Sequence, residues 1–172
     1  MRRDLCCVIL CVAIATTLAG CSRNPGNTSY SVNGREQVTI KGKTFSLEMA
    51  SDSDSRDEGL MGRTEIPAGM GMLFVFPESG MQYFWMGHCL TDMDIIFLDA
   101  RGHVTATHAM KAQSPQRSDE SDDAYRRRMG TYSSGLPAMF AIELPPGSLE
   151  ELKVRVDDRI DLDTTRLKAM AR

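Results

Sequence analysis

The sequence lacks an excess of basic residues, and this argues against a nucleic-acid-binding protein. Its 20 lysines and arginines are outnumbered by 23 aspartates and glutamates. Binding to a phosphate backbone needs a basic surface that displaces condensed counterions. The basic cluster at residues 126–128 lies close to several acidic residues, which indicates a solvated helix rather than a phosphate site. We therefore expect no nucleic-acid partner.

The sequence also lacks an apolar run that is long enough to span a bilayer. The run at residues 5–18 has fourteen residues, whereas a transmembrane helix needs about 20. Arg2 and Arg3 precede this run, and the small residues Ala19 and Gly20 follow it. Because this layout is typical of a secretory signal peptide, we expect residues 1–20 to be removed on export.

The last residues of this segment, Leu18-Ala19-Gly20-Cys21, resemble the lipobox of bacterial lipoproteins. The resemblance implies that the Cys21 thiol receives a diacylglyceryl group before a peptidase cuts ahead of it. Two or more acyl chains hold a soluble domain stably at a membrane. We therefore predict an exported lipoprotein, anchored to a bacterial membrane through Cys21 and facing the periplasm or the exterior. The alternative is an ordinary signal peptide that is cut nearby and leaves a free thiol.

Cysteine is scarce beyond the predicted signal peptide. Of the five cysteines, three lie in residues 1–20 and one is the predicted lipid attachment site. Cys89 alone remains for the folded domain, so that domain cannot form an internal disulfide.

Apolar residues do not recur at regular spacing directly after Cys21, but they do so further along the chain. Residues 21–35 are rich in turn-forming and small polar residues, which predicts a flexible tether. Later segments alternate apolar and polar residues, which is the period of a half-buried strand. We predict strands at residues 36–40, 45–49, 72–76, 82–86, 94–98, 104–110, 138–144 and 153–162.

Helical signals are confined to two short stretches, near residues 52–61 and 118–129, each with acidic and capping residues at its start. The sequence therefore predicts a mainly β domain, a compact β-sandwich or barrel with two short helices. This domain is expected over residues 36–163, with a charged insertion at 111–135 and a polar tail at 164–172.

Three blocks carry the most distinctive sequence. They are residues 56–63 (Arg-Asp-Glu-Gly-Leu-Met-Gly-Arg), 69–76 (Gly-Met-Gly-Met-Leu-Phe-Val-Phe), and 84–86 (Phe-Trp-Met) leading to 93–99 (Met-Asp-Ile-Ile-Phe-Leu-Asp). In order and spacing they resemble the bacterial and archaeal family known as domain of unknown function 192. The resemblance covers about residues 36–163 and implies a compact β-sandwich-like fold that is often exported. It implies no settled reaction, substrate or catalytic residues.

The chain departs from the family pattern in two places. The family usually has Lys-Asn-Thr after Trp-Met, whereas this chain has Gly87-His88-Cys89. The charged insertion at residues 111–135 is also additional, and a partner could be recognised there.

Charged residues within these blocks provide candidate binding residues. Buried charges are rarely tolerated without a partner, so the first interpretation is an ion pair between Asp94 and Arg56 or Arg63 that holds the first helix against the sheet. The second is a ligand-binding cleft formed by Arg56, Arg63, Trp85, His88 and Asp94. In it an arginine would bind a carboxylate or sugar hydroxyl, and Trp85 would offer a stacking face. The predicted partner is an envelope glycan or another envelope protein.

A soft-metal site is the alternative, because the chain contains twelve methionines. Met86, His88 and Cys89 would supply thioether, imidazole and thiolate groups, which suit Cu(I). Met86 and His88 would point the same way in an extended strand. Methionine more often fills gaps in a core, so we expect no cofactor.

No catalytic residue can be assigned from the sequence. His88 and Cys89 are adjacent and would diverge in a strand, which leaves the thiol without a base. The sequence therefore favours a protein that binds a ligand, with an unrecognised hydrolase as a further alternative.

Overall fold

Strands dominate the structure, a computed structural model that describes residues 29–172. The predicted signal peptide, Cys21 and the predicted tether up to residue 28 lie outside the described residues. The strands are β1 (Tyr30–Val32), β2 (Arg35–Ile40), β3 (Lys43–Ala50), β4 (Met70–Gly80), β5 (Tyr83–Phe84), β6 (Met93–Leu98), β7 (Val104–Met110), β8 (Tyr132–Ser133) and β9 (Ala138–Leu144). The helices are α1 (Ser53–Glu58), α2 (Asp122–Met129), α3 (Ser148–Leu152) and α4 (Thr164–Met170). The mainly β prediction is confirmed.

Seven of the strands form one sheet in the order β1-β2-β3-β4-β9-β6-β7, and β5 and β8 form a separate two-stranded ribbon. The pair β3–β4 is parallel, and the other pairs are antiparallel. Within the described part of the chain the large sheet does not close into a barrel. The hairpin from β2 to β3 turns at Lys41 and Gly42, both with positive φ, as a tight hairpin turn requires.

Both faces of the large sheet are covered. The first face packs Val38, Phe45, Leu73 and Phe140 beneath α3, α4 and the segment 153–163. The second face packs Phe74, Ile95 and Phe97 beneath residues 60–66 and 84–89. Because both faces are buried, β6 and β9 are apolar almost throughout instead of alternating.

Four helices are found in residues 29–172, whereas the sequence predicted two. The N-cap residue of the short helix α3 is Gly147, which has no side chain to cap it, and so its sequence resembled a turn. Helix α4 occupies the segment that was predicted to be a polar tail. Most of its residues are polar, but Leu167 is fully buried on the first face, and Arg166 pairs with the buried Glu36 of β2.

The predicted strand at residues 153–162 is irregular in the structure. Val154, Ile160 and Leu162 are buried on the first face, which produced the alternating pattern. Its backbone instead bonds to the turn after β6, through Val104, Gly102 and a bridge between His103 and Arg159. The predicted strand at 82–86 shortens to β5, which pairs with β8 from the insertion.

Replacing Leu167 with Ala tests whether α4 is part of the core. Leu167 has 0% of its surface exposed, and removing a buried leucine side chain costs about 2 to 5 kcal/mol. We expect the urea midpoint of unfolding to fall accordingly, whereas Lys168→Ala, at an exposed position on the same helix, leaves it nearly unchanged. Equal midpoints for the two variants would show that α4 does not contribute to stability.

Candidate functional site

One row of side chains crosses the second face of the sheet. The strand register pairs Glu48 of β3 with Met72 of β4, Met72 with Glu143 of β9, and Glu143 with Ile95 of β6. Residues that are paired directly across neighbouring strands extend to the same face. Glu143 therefore brings a carboxyl group to the middle of a face that is otherwise largely apolar.

A cleft of about 260 Å³ opens above this row. Helix α1 and the turn that follows it line one side, Tyr83–Trp85 line another, and Phe74 and Glu143 line it from the sheet. Gly59 ends α1 with a φ of +49°, and a Cβ there would lie 3.4 Å from the Phe74 ring. This glycine therefore allows the chain to turn closely over the sheet.

Aromatic rings hold the Tyr83–Trp85 side of the cleft in place. Phe84 makes edge-to-face contacts with Phe74 at 4.9 Å, Phe97 at 5.3 Å and Phe76 at 6.3 Å between ring centroids. Such pairs add about 0.5 to 1.5 kcal/mol each beyond the burial of their surface. Tyr83 extends outwards beside this group and is 61% exposed.

Glu143 is the unusual residue of the cleft. It is 6% exposed, and its Oε2 atom has no hydrogen-bond partner among residues 29–172. Burial raises the pKa of the Glu143 carboxyl from 4.5 to about 8, against the opposing effect of the Arg63 charge. At neutral pH most of this group is therefore protonated, and it can donate or accept a hydrogen bond.

Cys89 also lines the cleft and is buried. Burial, followed by the charge of Glu143, raises the pKa of the Cys89 thiol to about 11. Its Sγ lies 3.5 Å from the carbonyl oxygen of Gly87. Because the thiolate is the reactive form, this cysteine is a poor nucleophile at neutral pH.

The predicted ion pair between an arginine and Asp94 is wrong. Arg63 donates instead to both carboxylate oxygens of Glu48, at 2.8 and 2.6 Å, and Arg35 donates to the same carboxylate at 2.9 Å. The hydrogen bond from Arg63 holds the pKa of Glu48 below its usual value. The turn after α1 places Arg63 above β3, on the opposite face of the sheet from Asp94.

Asp94 caps a helix on the first face. Its carboxylate accepts a hydrogen bond from the backbone N–H of Leu149 at 2.8 Å, and the N–H groups of Gly147 and Ser148 also stabilise its charge. Burial outweighs these bonds and raises the pKa of Asp94. Asp94 thus supplies to α3 the cap that Gly147 cannot provide.

Arg56 lines the cleft, but its guanidinium group is already bonded. It donates to the main-chain oxygens of Val75 at 3.1 Å and Arg172 at 3.0 Å. It also lies over the ring of Phe76, 5.8 Å from the centroid. Arg56 thereby holds α1 against β4.

Trp85 lies where the cleft meets the insertion. The guanidinium carbon of Arg126 is 4.8 Å from the indole centroid, and a Cβ on Gly87 would come within 2.2 Å of the ring. His88 has a φ of +56°, and its N–H donates to the hydroxyl of Tyr125 at 2.9 Å. Helix α2 of the insertion therefore packs on the turn at residues 85–88.

The structure places the predicted copper ligands in different environments. Met86 and Cys89 are buried, whereas the side chain of His88 is exposed. The extended strand that would have aligned Met86 with His88 is replaced by a turn. Among residues 29–172, no three His, Cys, Asp or Glu side chains are arranged to hold a metal ion.

Of the five predicted ligand-binding residues, the structure therefore places Arg56 and Trp85 at one cleft and the other three elsewhere. Sequence analysis missed Glu48 and Glu143. A signal for Glu143 was present, since it is the single charged residue in the apolar strand Ala138–Leu144.

The family model DUF192, described as an uncharacterized ACR, matches residues 36–162. This chain belongs to the DUF192 family. No curated protein shows significant similarity to it.

Two crystal structures resemble this DUF192 chain. One, from Sinorhizobium meliloti 1021, carries the name "putative transcription regulator (R01717)". It is 26% identical, with a TM-score of 0.57 over 72% of this chain and 88% of that one. The other is a protein of unknown function from Novosphingobium aromaticivorans DSM 12444. It is 23% identical, with a TM-score of 0.61 over 80% of this chain and 93% of that one.

Replacing Glu143 with Gln tests the state of the buried carboxyl. The unfolded chain ionises this group near pH 4.5 and the folded chain near pH 8, so the wild type loses stability as the pH rises between these values, and the variant lacks this loss. Urea unfolding should show the wild-type free energy of unfolding falling relative to the variant by roughly 1.4 kcal/mol per pH unit.

Glu150→Gln is the matched control, because Glu150 is exposed on α3. Its pH profile should run parallel to that of the wild type. A parallel profile for Glu143→Gln as well would contradict the raised pKa of Glu143.

Proposed function

We propose that this DUF192 protein is a lipid-anchored protein of the bacterial cell envelope whose domain binds a small ligand in the cleft between α1 and Tyr83–Trp85. The observation that carries the proposal is the buried Glu143 carboxyl, which lines the cleft and has an oxygen without a partner among the described residues. A buried polar group that lacks a hydrogen bond costs about 1 to 3 kcal/mol. A bound ligand that supplies the hydrogen bond would offset this cost.

The lining of the cleft supports binding of a compound with an apolar face. Ligand sites are typically concave and mostly apolar, with a few polar groups that orient the ligand. Here Phe74, Phe84 and Tyr83 supply the apolar surface, and Glu143 supplies the polar group. Tyr83 is the most accessible of these rings, since the Trp85 indole is already contacted by Gly87 and Arg126. An envelope glycan or another small envelope component could meet these requirements.

Binding is favoured over catalysis because the thiol that lines the cleft is not activated. The raised pKa of Cys89 keeps it protonated at neutral pH, and Glu143, which could act as a general acid, has no activated nucleophile beside it in the lining. The name of the Sinorhizobium protein would instead point towards transcription. The acidic net charge of this chain argues against that role.

The lipid anchor is supported by the lipobox-like sequence that ends at Cys21. The described domain starts at Ser29, so the chain from Cys21 can span at most roughly 28 Å. A lipid on Cys21 would therefore keep the domain close to the membrane surface. None of the helices in residues 29–172 is long and apolar enough to cross a membrane.

Replacing Cys21 with Ala tests the anchor. When the full chain is expressed in a bacterium fed radiolabelled palmitate, we expect the wild type to carry label and to sediment with membranes. The variant should lose both properties, whereas Cys89→Ala should keep them. Membrane association that persists without Cys21 would contradict the anchor.

Trp85, the only tryptophan of the chain, provides a direct readout of the cleft. We expect its fluorescence in the full-length protein to change saturably when the neutral aromatic alcohol 2-phenylethanol is added. Tyr83→Ala should weaken binding about fivefold, which corresponds to roughly 1 kcal/mol for the loss of an aromatic contact.

Leu136→Ala is the matched control for Tyr83→Ala. Leu136 is 59% exposed, close to the 61% of Tyr83, but it does not line the cleft. Its removal should leave the affinity unchanged. Fluorescence that does not saturate, or equal losses in both variants, would contradict binding in the cleft.

A further inference from the structure

We propose that the ligand of this cleft is an organic ammonium ion with an apolar body, which pairs its charge with Glu143 and packs its body against Phe74, Phe84 and Tyr83. This inference rests on the proposed function and specifies the class of ligand that the cleft receives.

The acidic groups that line the cleft are free to pair with a ligand, whereas the arginine that lines it is already bonded. Three carboxyl groups line it, those of Asp57, Glu58 and Glu143, and none of them forms a hydrogen bond or ion pair with another side chain of residues 29–172. The guanidinium of Arg56, which also lines the cleft, is bonded to two main-chain oxygens. The available charge is therefore negative, which attracts a cation and repels an anion.

Arg63 does not neutralise Glu143, although its charge acts on that carboxyl. Its two terminal nitrogens donate to the two oxygens of Glu48, which occupies the same row of the sheet two strands away. A bidentate pair of this kind fixes the direction of the guanidinium plane. The Arg63–Glu48 pair thus leaves the buried carboxyl free for a charge that arrives from outside.

The aromatic lining suits the same ligand. Organic ammonium groups bind favourably to the faces of aromatic rings, and this attraction is stronger where water is excluded. Tyr83 and Phe84 lie side by side in β5, and Phe74 lies next to Phe84. A ligand that reaches Glu143 between these rings would exchange water for a carboxylate at one end and apolar contacts at the other.

Binding of an ammonium ion should also depend on pH. Burial keeps the Glu143 carboxyl largely protonated below pH 8, so the cation must displace a proton to form the ion pair. Alkyl ammonium groups stay protonated through this range. The other titratable or charged groups that surround Glu143 in the cleft or the adjoining row are Glu48, Arg56, Asp57, Glu58, Arg63, Tyr83 and Cys89. Of these groups Glu143 has a raised pKa of about 8, which falls within the pH range of the experiment.

The experiment compares 2-phenylethylamine with its neutral analogue 2-phenylethanol, using the fluorescence of Trp85 in the full-length protein. At pH 8 we expect the amine to bind at least tenfold more tightly than the alcohol. Between pH 6 and pH 8 the affinity for the amine should rise by about tenfold or more, while the affinity for the alcohol stays constant. Titration calorimetry at pH 7 in buffers of different ionisation enthalpy should detect a proton released with the amine.

Glu143→Gln should remove most of the amine's advantage and its pH dependence, while the alcohol still binds. Glu150→Gln, the exposed control, should behave as the wild type does. If the alcohol binds saturably and the amine binds no better, the ammonium assignment is overturned and the binding function stands. If neither the amine nor the alcohol binds, the proposed function itself fails. An amine advantage that survives Glu143→Gln would also overturn the assignment.

Discussion

The position of β9 in the sheet, between β4 and β6, is the constraint on which the rest of this molecule depends. This strand comes from the last quarter of the described fold, yet it pairs on both sides with strands that precede the charged insertion at residues 111–135. All seven of its residues are buried. Any residue in β9 must therefore fit the packing of both faces, and a polar residue there is held far from bulk water. Glu143 is in that position, and its raised pKa follows from the strand order rather than from its neighbours in the sequence.

The electrostatics of the second face follow from this arrangement. Two acidic residues, Glu48 and Glu143, lie in one row of side chains, and Met72 lies between them. Arg63 can form a bidentate pair with only one of them, and it pairs with Glu48, which is the more exposed of the two carboxylates. The buried carboxyl of Glu143 is left to be satisfied by protonation or by an incoming group. Because both Arg35 and Arg63 pair with Glu48, Glu48 has a structural role and Glu143 is available for binding.

The sequence predicted the parts of this fold that follow from local patterns. Alternation located most strands of the large sheet, and the family blocks identified the domain, because both depend on neighbouring residues. Prediction from the sequence failed where an element depends on a hydrogen-bond partner that is distant in the chain. Helix α3 depends on Asp94, more than fifty residues earlier, and α4 depends on Glu36, 130 residues away. The ion pair of Arg63 was assigned to the wrong acid for the same reason, because the register of β3 against β4 cannot be derived from the spacing of charges.

The candidate site also combines residues that local sequence patterns predicted with residues that only the strand order reveals. Arg56 and Trp85 were predicted because they belong to conspicuous blocks, and both line the cleft. Met86 and His88 were paired on the assumption of a strand, but the chain turns at Gly87 and His88, and His88 is exposed whereas Met86 is buried. Glu143 was overlooked because a strand of seven residues with one acid looks like an ordinary core strand. Its importance appears only when the strands on either side are known.

The attachment of α1 to the far end of the domain links the cleft to the motions of α4. The N–H group of Arg172 donates to the carbonyl oxygen of Ser51, and a main-chain oxygen of Arg172 accepts a hydrogen bond from Arg56. Fraying of the segment after α4 would therefore release the wall of the cleft, and opening of the cleft would loosen that segment. A molecule bound in the cleft should slow amide hydrogen exchange in α4, although α4 packs on the opposite face of the sheet.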